Sequence, residues 1–159
     1  MVNHRHAQSG FTLVELLVVI VIIAVLFALS TVNLGQARIS SSLTSTTNVL
    51  LADIKNQQLL AMVGEQGSTS SQQPHGLYFQ NNDYVLFADS SYNSSDTNNY
   101  TVQTNAIGIT TTFPSNQVLF DVGNGEVSGF SSGNNTITLT TSGDSQTITI
   151  NRFGATSVN

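Results

Sequence analysis

The chain has 159 residues, with Lys+Arg 4 against Asp+Glu 9 and a formal net charge of -5. That length holds one modest domain plus a helix and excludes two full domains with separate cores. The acidic balance opposes binding to a polyanion, and the absence of Cys excludes disulfides, thiolate metal sites and cysteine nucleophiles. Stability must come from packing, or from neighbours in an assembly. Only 8% of residues are charged; with abundant Ser, Thr, Asn and Gly, that is the composition of an exported surface protein.

Met1 to Gly10 is a short polar leader carrying Arg5 between His4 and His6. Arg5 is the only Lys or Arg before Arg38, so the positive-inside tendency places the leader in the cytoplasm and the remainder across a membrane. Ser9-Gly10-Phe11-Thr12-Leu13-Val14-Glu15 then opens the apolar run Leu16 to Leu29. Phe11 to Val32 would span about 33 Å as a helix, against a hydrocarbon core of about 30 Å. A carboxylate within such a segment is costly and needs a partner. None stands in the run itself, because no Lys, Arg or His occurs between Glu15 and Arg38. An alternative is a secretory signal peptide cut after Ala28-Leu29-Ser30, which fits the small-x-small rule. The apolar run is longer than a usual signal core, and a discarded peptide has no use for Glu15.

Ser30 to Gly35 is a cluster of weak helix formers where a bend or local melting is conceivable, although no Pro enforces one. Beyond it the apolar pattern becomes one-sided. Leu43, Thr47, Leu50, Ile54 and Ala61 recur at helical steps, with Val49, Leu51, Leu59 and Leu60 widening the stripe and Asp53 and Lys55 falling between. Arg38 and Lys55 are read as solvated, with contact to lipid headgroups or neighbouring acids as the alternative, and the helix is expected to end at Gly64, before the turn composition Gln66-Gly67-Ser68. A rod from Phe11 to Val63 would be about 80 Å long.

From residue 65 strand patterns replace helical ones. Gly76-Leu77-Tyr78-Phe79 and Tyr84-Val85-Leu86-Phe87 flank Asn81-Asn82-Asp83 as a hairpin, and Ser90 to Asn99 is a polar loop. Further strands are expected at 100–102, 107–110, 117–121, 136–140 and 147–150. In the last two, Ile137, Leu139, Ile148 and Ile150 share one face and threonines the other, around the turn Ser142-Gly143-Asp144-Ser145. The fold class is therefore α+β: a long N-terminal helix, transmembrane in its first half and amphipathic in its second, packed against a C-terminal antiparallel β-rich head. The expected divisions are a leader at 1–10, the membrane helix at 11–32, its amphipathic continuation at 33–64 and the head at 65–159.

Gly10-Phe11-Thr12-Leu13-Val14-Glu15-Leu16-Leu17 followed by Val18 to Leu29 resembles the class III signal of type IV pilins and type II secretion pseudopilins. The combination of junction glycine, following Phe, acid four residues on and unbroken apolar helix is highly specific. The resemblance implies a pilin-like fold, cleavage between Gly10 and Phe11 by a prepilin peptidase and methylation of the new Phe11 amine. It also implies pairing of Glu15 with such an amine, commonly on an adjacent subunit, during assembly. Physical reasons accompany each position: glycine leaves room for close approach to the backbone, and an acid in the first turn suits the helix dipole.

The C-terminal part is similar to the H-type minor pseudopilins (GspH/FimT-like), through Val118-Leu119-Phe120, Gly123-Asn124-Gly125, the strands Thr136 to Thr140 and Thr147 to Ile150, and Arg152-Phe153-Gly154-Ala155-Thr156. Some FimT-like members take part in DNA uptake through basic C-terminal residues, whereas this chain offers only Arg152 there. The cysteine pair that closes a loop in many major pilins is missing as well.

Other sites are weak. Asp121-Val122-Gly123-Asn124-Gly125-Glu126 has oxygen ligands for calcium without the loop spacing, and Asn124-Gly125 is a hairpin signal. His75 is the only His outside the leader, too little for a catalytic relay or a histidine metal cluster. Asn93, Asn99 and Asn134 head glycosylation sequons of the kind that arise by chance in such a composition.

The expectation is a structural subunit without enzymatic activity, cofactor or metal: a minor pilin or pseudopilin of a type IV pilus or a type II secretion pseudopilus. Its partners would be prepilin peptidase, other pilin or pseudopilin subunits, the inner-membrane assembly platform and membrane lipid. It would be a single-pass inner-membrane protein, its N-terminus cytoplasmic and its head outside, before entering a periplasmic or extracellular filament. A DNA-binding competence pilin is the alternative. It is disfavoured because loss of Arg5 with the leader leaves 4 - 1 = 3 basic residues against 9 acids. A tethered enzyme or adhesin would not depend on prepilin peptidase.

Overall fold

A computed structural model describes residues 10–65, 71–105 and 107–159, with only the backbone described over 29–38. The leader with Arg5, His4 and His6, and the turn Gln66-Gly67-Ser68, lie outside the described residues. The chain forms two compact units, Met1–Arg38 and Ile39–Asn159.

A single helix, α1 (Leu13–Val63), runs through the Ser30 to Gly35 cluster without interruption. In the second unit its stripe Leu43, Thr47, Leu50, Ile54, Gln57 and Ala61 is buried, at alternating steps of four and three. Gln57 completes the heptad line at a position where polarity hides it from a hydrophobic pattern; its Oε1 is buried without a hydrogen-bond partner. Two of the residues expected to widen the stripe, Val49 and Leu59, are exposed instead, because they lie on the far side of the helix from Leu50 and Ile54. The helix ends as expected: Gly64 adopts φ 72, its N–H reaches Ala61 O, and the Glu65 N–H reaches Leu60 O. These two bonds form a Schellman cap, which needs a left-handed residue at this point.

The strands are β1 (His75–Phe79), β2 (Asp83–Ala88), β3 (Tyr100–Gln103), β4 (Gly108–Thr111), β5 (Gln117–Phe120), β6 (Thr136–Thr140), β7 (Ser145–Ile150) and β8 (Thr156–Val158). They make two four-stranded antiparallel sheets, ordered β3-β2-β1-β5 and β4-β6-β7-β8. Both expected hairpins form, β1–β2 and β6–β7, and every expected strand has its counterpart. β8 was not legible, since Thr156-Ser157-Val158 is too short to show a period. Ile137, Leu139, Ile148 and Ile150 are all fully buried, while the Thr138 and Thr147 hydroxyls meet at 3.1 Å on the other face. One hydrophobic core joins the helix stripe to residues of both sheets, including Leu77, Phe120, Ile137 and Ile148.

Polar contacts fasten α1 to the strands. The buried Tyr84 donates its hydroxyl to Asp53 Oδ2 at 2.6 Å. Burial first, then the Asp53 carboxylate, pushes that hydroxyl far above the usual tyrosine range, so it stays a donor at any physiological pH. Gln58 Nε2 donates to Gly125 O at 2.9 Å and to Phe153 O at 2.8 Å, and Lys55 Nζ donates to Gly154 O at 3.0 Å. Lys55, read from sequence as solvated, thus clasps a turn of the head. Gly125 sits at φ 63 with Met62 Cγ only 2.5 Å from where a Cβ would stand, so a side chain there would be strained and would have to displace Met62.

His75 is 5% exposed on β1, and its Nε2 lies 3.4 Å from Glu65 O. Burial lowers its pKa from 6.5, outweighing the carbonyl and the Glu65 charge. The folded state therefore favours neutral imidazole, and the unfolded chain takes up its proton first as pH falls. Stability from this group is complete above about pH 6.5 and is lost progressively below it, toward the lowered folded pKa. Melting the full chain at pH 7.5 and pH 5 should show the loss, and His75→Gln should flatten it; an unchanged slope in the variant would assign the pH dependence to other groups.

Candidate functional site

The N-terminal segment was the sequence's most specific feature. Gly10 and Phe11 precede α1 and are non-helical and exposed, and no atom stands within 4 Å of where a Cβ on Gly10 would lie. The Gly10–Phe11 peptide bond thus lies outside the helix between two exposed residues, where a peptidase can reach it. Phe11 is 85% exposed.

Thr12 caps the helix. Its carbonyl accepts the Leu16 N–H at 3.2 Å, its Oγ1 accepts the Glu15 N–H at 3.2 Å, and Glu15 Oε2 returns 3.4 Å from the Thr12 N–H. This reciprocal pair is a capping box, Thr-x-x-Glu, which satisfies two otherwise orphan donors at the start of a helix. Glu15 therefore sits one turn from the Phe11 nitrogen with its carboxylate folded back toward it. The Thr-x-x-Glu spacing that makes this box is present in the sequence at Thr12 and Glu15. Replacing Thr12 with Ala should destabilise the helix start by about 1 kcal/mol. That corresponds to about fivefold faster exchange of the Glu15 amide in full-length protein in micelles, and unchanged exchange would rule the box out as a stabilising element.

The described side chains of 13–28 form an apolar surface on every side of α1. Leu13, Val14, Leu16, Ile20, Ile23 and Phe27 are all more than half exposed, with no polar face to turn toward water. Such a helix needs lipid or other helices around it. Among the described residues no helix is long and apolar enough to cross a membrane; the expected span 11–32 runs into 29–32, where no side chain is described.

The remaining candidates resolve into structure. Asp121 to Glu126 forms a turn, with the Asp121 N–H on Glu126 O at 2.9 Å and the Glu126 N–H on Asn124 Oδ1 at 3.0 Å. The carboxylate of Glu126 is engaged by Arg152, Nε to Oε2 at 2.9 Å. That ion pair occupies both an acid of the calcium hypothesis and the lone C-terminal cation of the DNA hypothesis. Among the described residues no group of three or more His, Cys, Asp or Glu side chains converges as a metal site would require. Gly123 to Gly125 and Arg152 to Gly154 supply the two turns that clasp α1: the Gly123 N–H reaches Ala61 O at 2.9 Å, and Gln58 bridges Gly125 and Phe153.

Comparison with known families finds one matching description, the prokaryotic N-terminal methylation motif, over residues 5–31. No curated protein matches the chain. No solved structure matches it either. The matched segment contains Gly10, Phe11, Thr12 and Glu15 and the apolar start of α1, ahead of a head of two antiparallel sheets. The chain thus joins a prokaryotic N-terminal methylation motif to an α+β, pilin-like fold.

Proposed function

We propose that this chain is a minor pilin or pseudopilin that assembles into a type IV pilus or type II secretion pseudopilus through α1, with no catalytic role. Residues 1–10 are the leader. Prepilin peptidase cuts between Gly10 and Phe11, and the new Phe11 amine is methylated, which keeps its charge and adds apolar surface. Residues 11–32 hold the subunit in the inner membrane and later lie in the filament core; 33–64 carry the helix into the head at 65–159. The assembly platform extracts the subunit as neighbours bury the apolar surface that lipid had covered.

The observation that carries this reading is the junction itself: an open Gly10–Phe11 bond two residues before a capped helix, with Glu15 one turn from the future amine. In the free subunit Glu15 caps its own helix. During assembly its charge is available to the Phe11 amine of a neighbour, which fixes the axial register because an acid left unpaired in an apolar bundle is costly. A DNA-uptake role is disfavoured, since Arg152 is paired with Glu126 and the mature head is strongly acidic.

The test is to shear surface or periplasmic filaments from cells and probe them for the chain. It should appear in the filament fraction only when prepilin peptidase is active. Recovery solely in the membrane fraction under conditions where filaments form would overturn the proposal.

A further inference from the structure

The head carries a groove of about 880 Å³ where the β1–β2 hairpin meets the edge strand β4. From its lining and contacts we infer that this groove binds a neutral oligosaccharide.

Its lining includes the buried Phe79 and Ile109. One side is aromatic: Tyr78 and Tyr92 stack with centroids 4.1 Å apart and planes 7° apart, and Tyr92 is braced edge-on against Phe87. The rim is amide-rich. The side chains of Asn81, Asn82 and Asn116 line the groove, are exposed and make no hydrogen bond among the described residues.

Their backbones, in contrast, are fixed. Asn81 O accepts the Ile109 N–H at 2.8 Å, and Asn82 O accepts both the N–H and the hydroxyl of the buried Thr104, at 3.1 and 2.7 Å. Because the turn backbone is fixed, a ligand that meets these amides orders their side chains but not the loop. Asp83 adds a carboxylate: Oδ2 accepts from Gln103 at 3.2 Å, while Oδ1 is buried and has no partner.

The chemistry selects the ligand class. Each sugar hydroxyl is both donor and acceptor, and an amide presents a donor and an acceptor side by side. The C–H-bearing faces of a pyranose suit the negative face of a tyrosine ring. No Lys, Arg or His lines the groove, and Asp83 does, so phosphorylated and acidic ligands are repelled. Addition of a peptide strand at the β4 edge is opposed because the Ile109 N–H it would need is already given to Asn81 O. The volume lies within the range of small-ligand sites, about 300–1,000 Å³.

This inference stands apart from the filament reading, and either can fail without the other. The experiment is saturation-transfer difference NMR on the full chain in micelles of a sugar-free zwitterionic detergent. Maltotriose, cellotriose and chitotriose serve as neutral probes and sialyllactose as the acidic one. At least one neutral trisaccharide should bind. Tyr92→Ala and the double variant Asn81→Ala/Asn82→Ala should each weaken it by about tenfold or more, and Ser145→Ala at the β6–β7 turn should leave it unchanged. Because the two asparagine side chains make no hydrogen bond among the described residues, the double variant reports on binding even if Tyr92→Ala unfolds. Failure of all three neutral sugars at millimolar concentration, preference for sialyllactose, or binding undiminished by the asparagine double variant would each overturn the inference.

Discussion

Changing Glu15 to Val should leave cleavage after Gly10 intact and reduce entry of the subunit into filaments by at least about tenfold when wild-type subunits compete, equivalent to about 1.4 kcal/mol of lost register energy. The carboxylate has two roles that a pair of variants separates. Glu15→Gln keeps an acceptor for the Thr12 N–H, and a capping box tolerates Gln. It removes the charge that a neighbour's Phe11 amine requires. If register depends on the charge pair, Gln and Val variants fail alike, whereas if the cap is what matters, Gln assembles and Val does not. The scale is set by the cost of an unpaired charge in an apolar bundle, roughly 2.5–3.5 kcal/mol at the centre of a membrane helix and less near its end. Quantifying variant and wild-type subunits in sheared filaments decides the matter, and wild-type incorporation of both variants would remove Glu15 from the assembly mechanism.

The second large effect is in the head. Leu50 is fully buried in the stripe that seats α1 on the two sheets, so Leu50→Ala should cost about 2–5 kcal/mol and lower the melting temperature by on the order of 10 °C. Leu59, nine residues on, is 57% exposed, and Leu59→Ala should change stability by no more than about 0.5 kcal/mol. Thermal melts of the full chain in micelles compare the two. Equal losses would mean that the helix presents a different face to the strands than Leu43, Leu50, Ile54 and Ala61 define.

That contrast also shows where the sequence was readable. Alternation in 136–140 and 147–150 placed Ile137, Leu139, Ile148 and Ile150 on one face because a period of two leaves little choice once one side is buried. The helix end at Gly64 was equally legible, since a left-handed cap calls for glycine. The buried stripe is narrower than apolarity alone suggests: Leu59 and Val49 are as apolar as Leu50, but they stand about 180° and about 100° round the helix from it and stay exposed. Gln57 and the clasping Lys55 and Gln58 were missed for the converse reason, being polar residues whose partners lie far away in the chain. At the N-terminus Gly10, Phe11 and Glu15 were read from their order, whereas Thr12 needed the geometry of the cap to acquire a role. The groove beside Asn81 and Asn82 had no sequence signal beyond a polar turn, because its lining is gathered from β1, β4 and the 90–99 loop, which are far apart in the chain.

The central claim is that the first ten residues are a leader removed at a prepilin peptidase site. Mass spectrometry of the N-terminus, on protein from cells with and without prepilin peptidase, tests it most directly. The account predicts a chain beginning at N-methylated Phe11 when the peptidase is present and an intact leader when it is absent. A mature N-terminus near Thr31, or a leader retained in both, would contradict it.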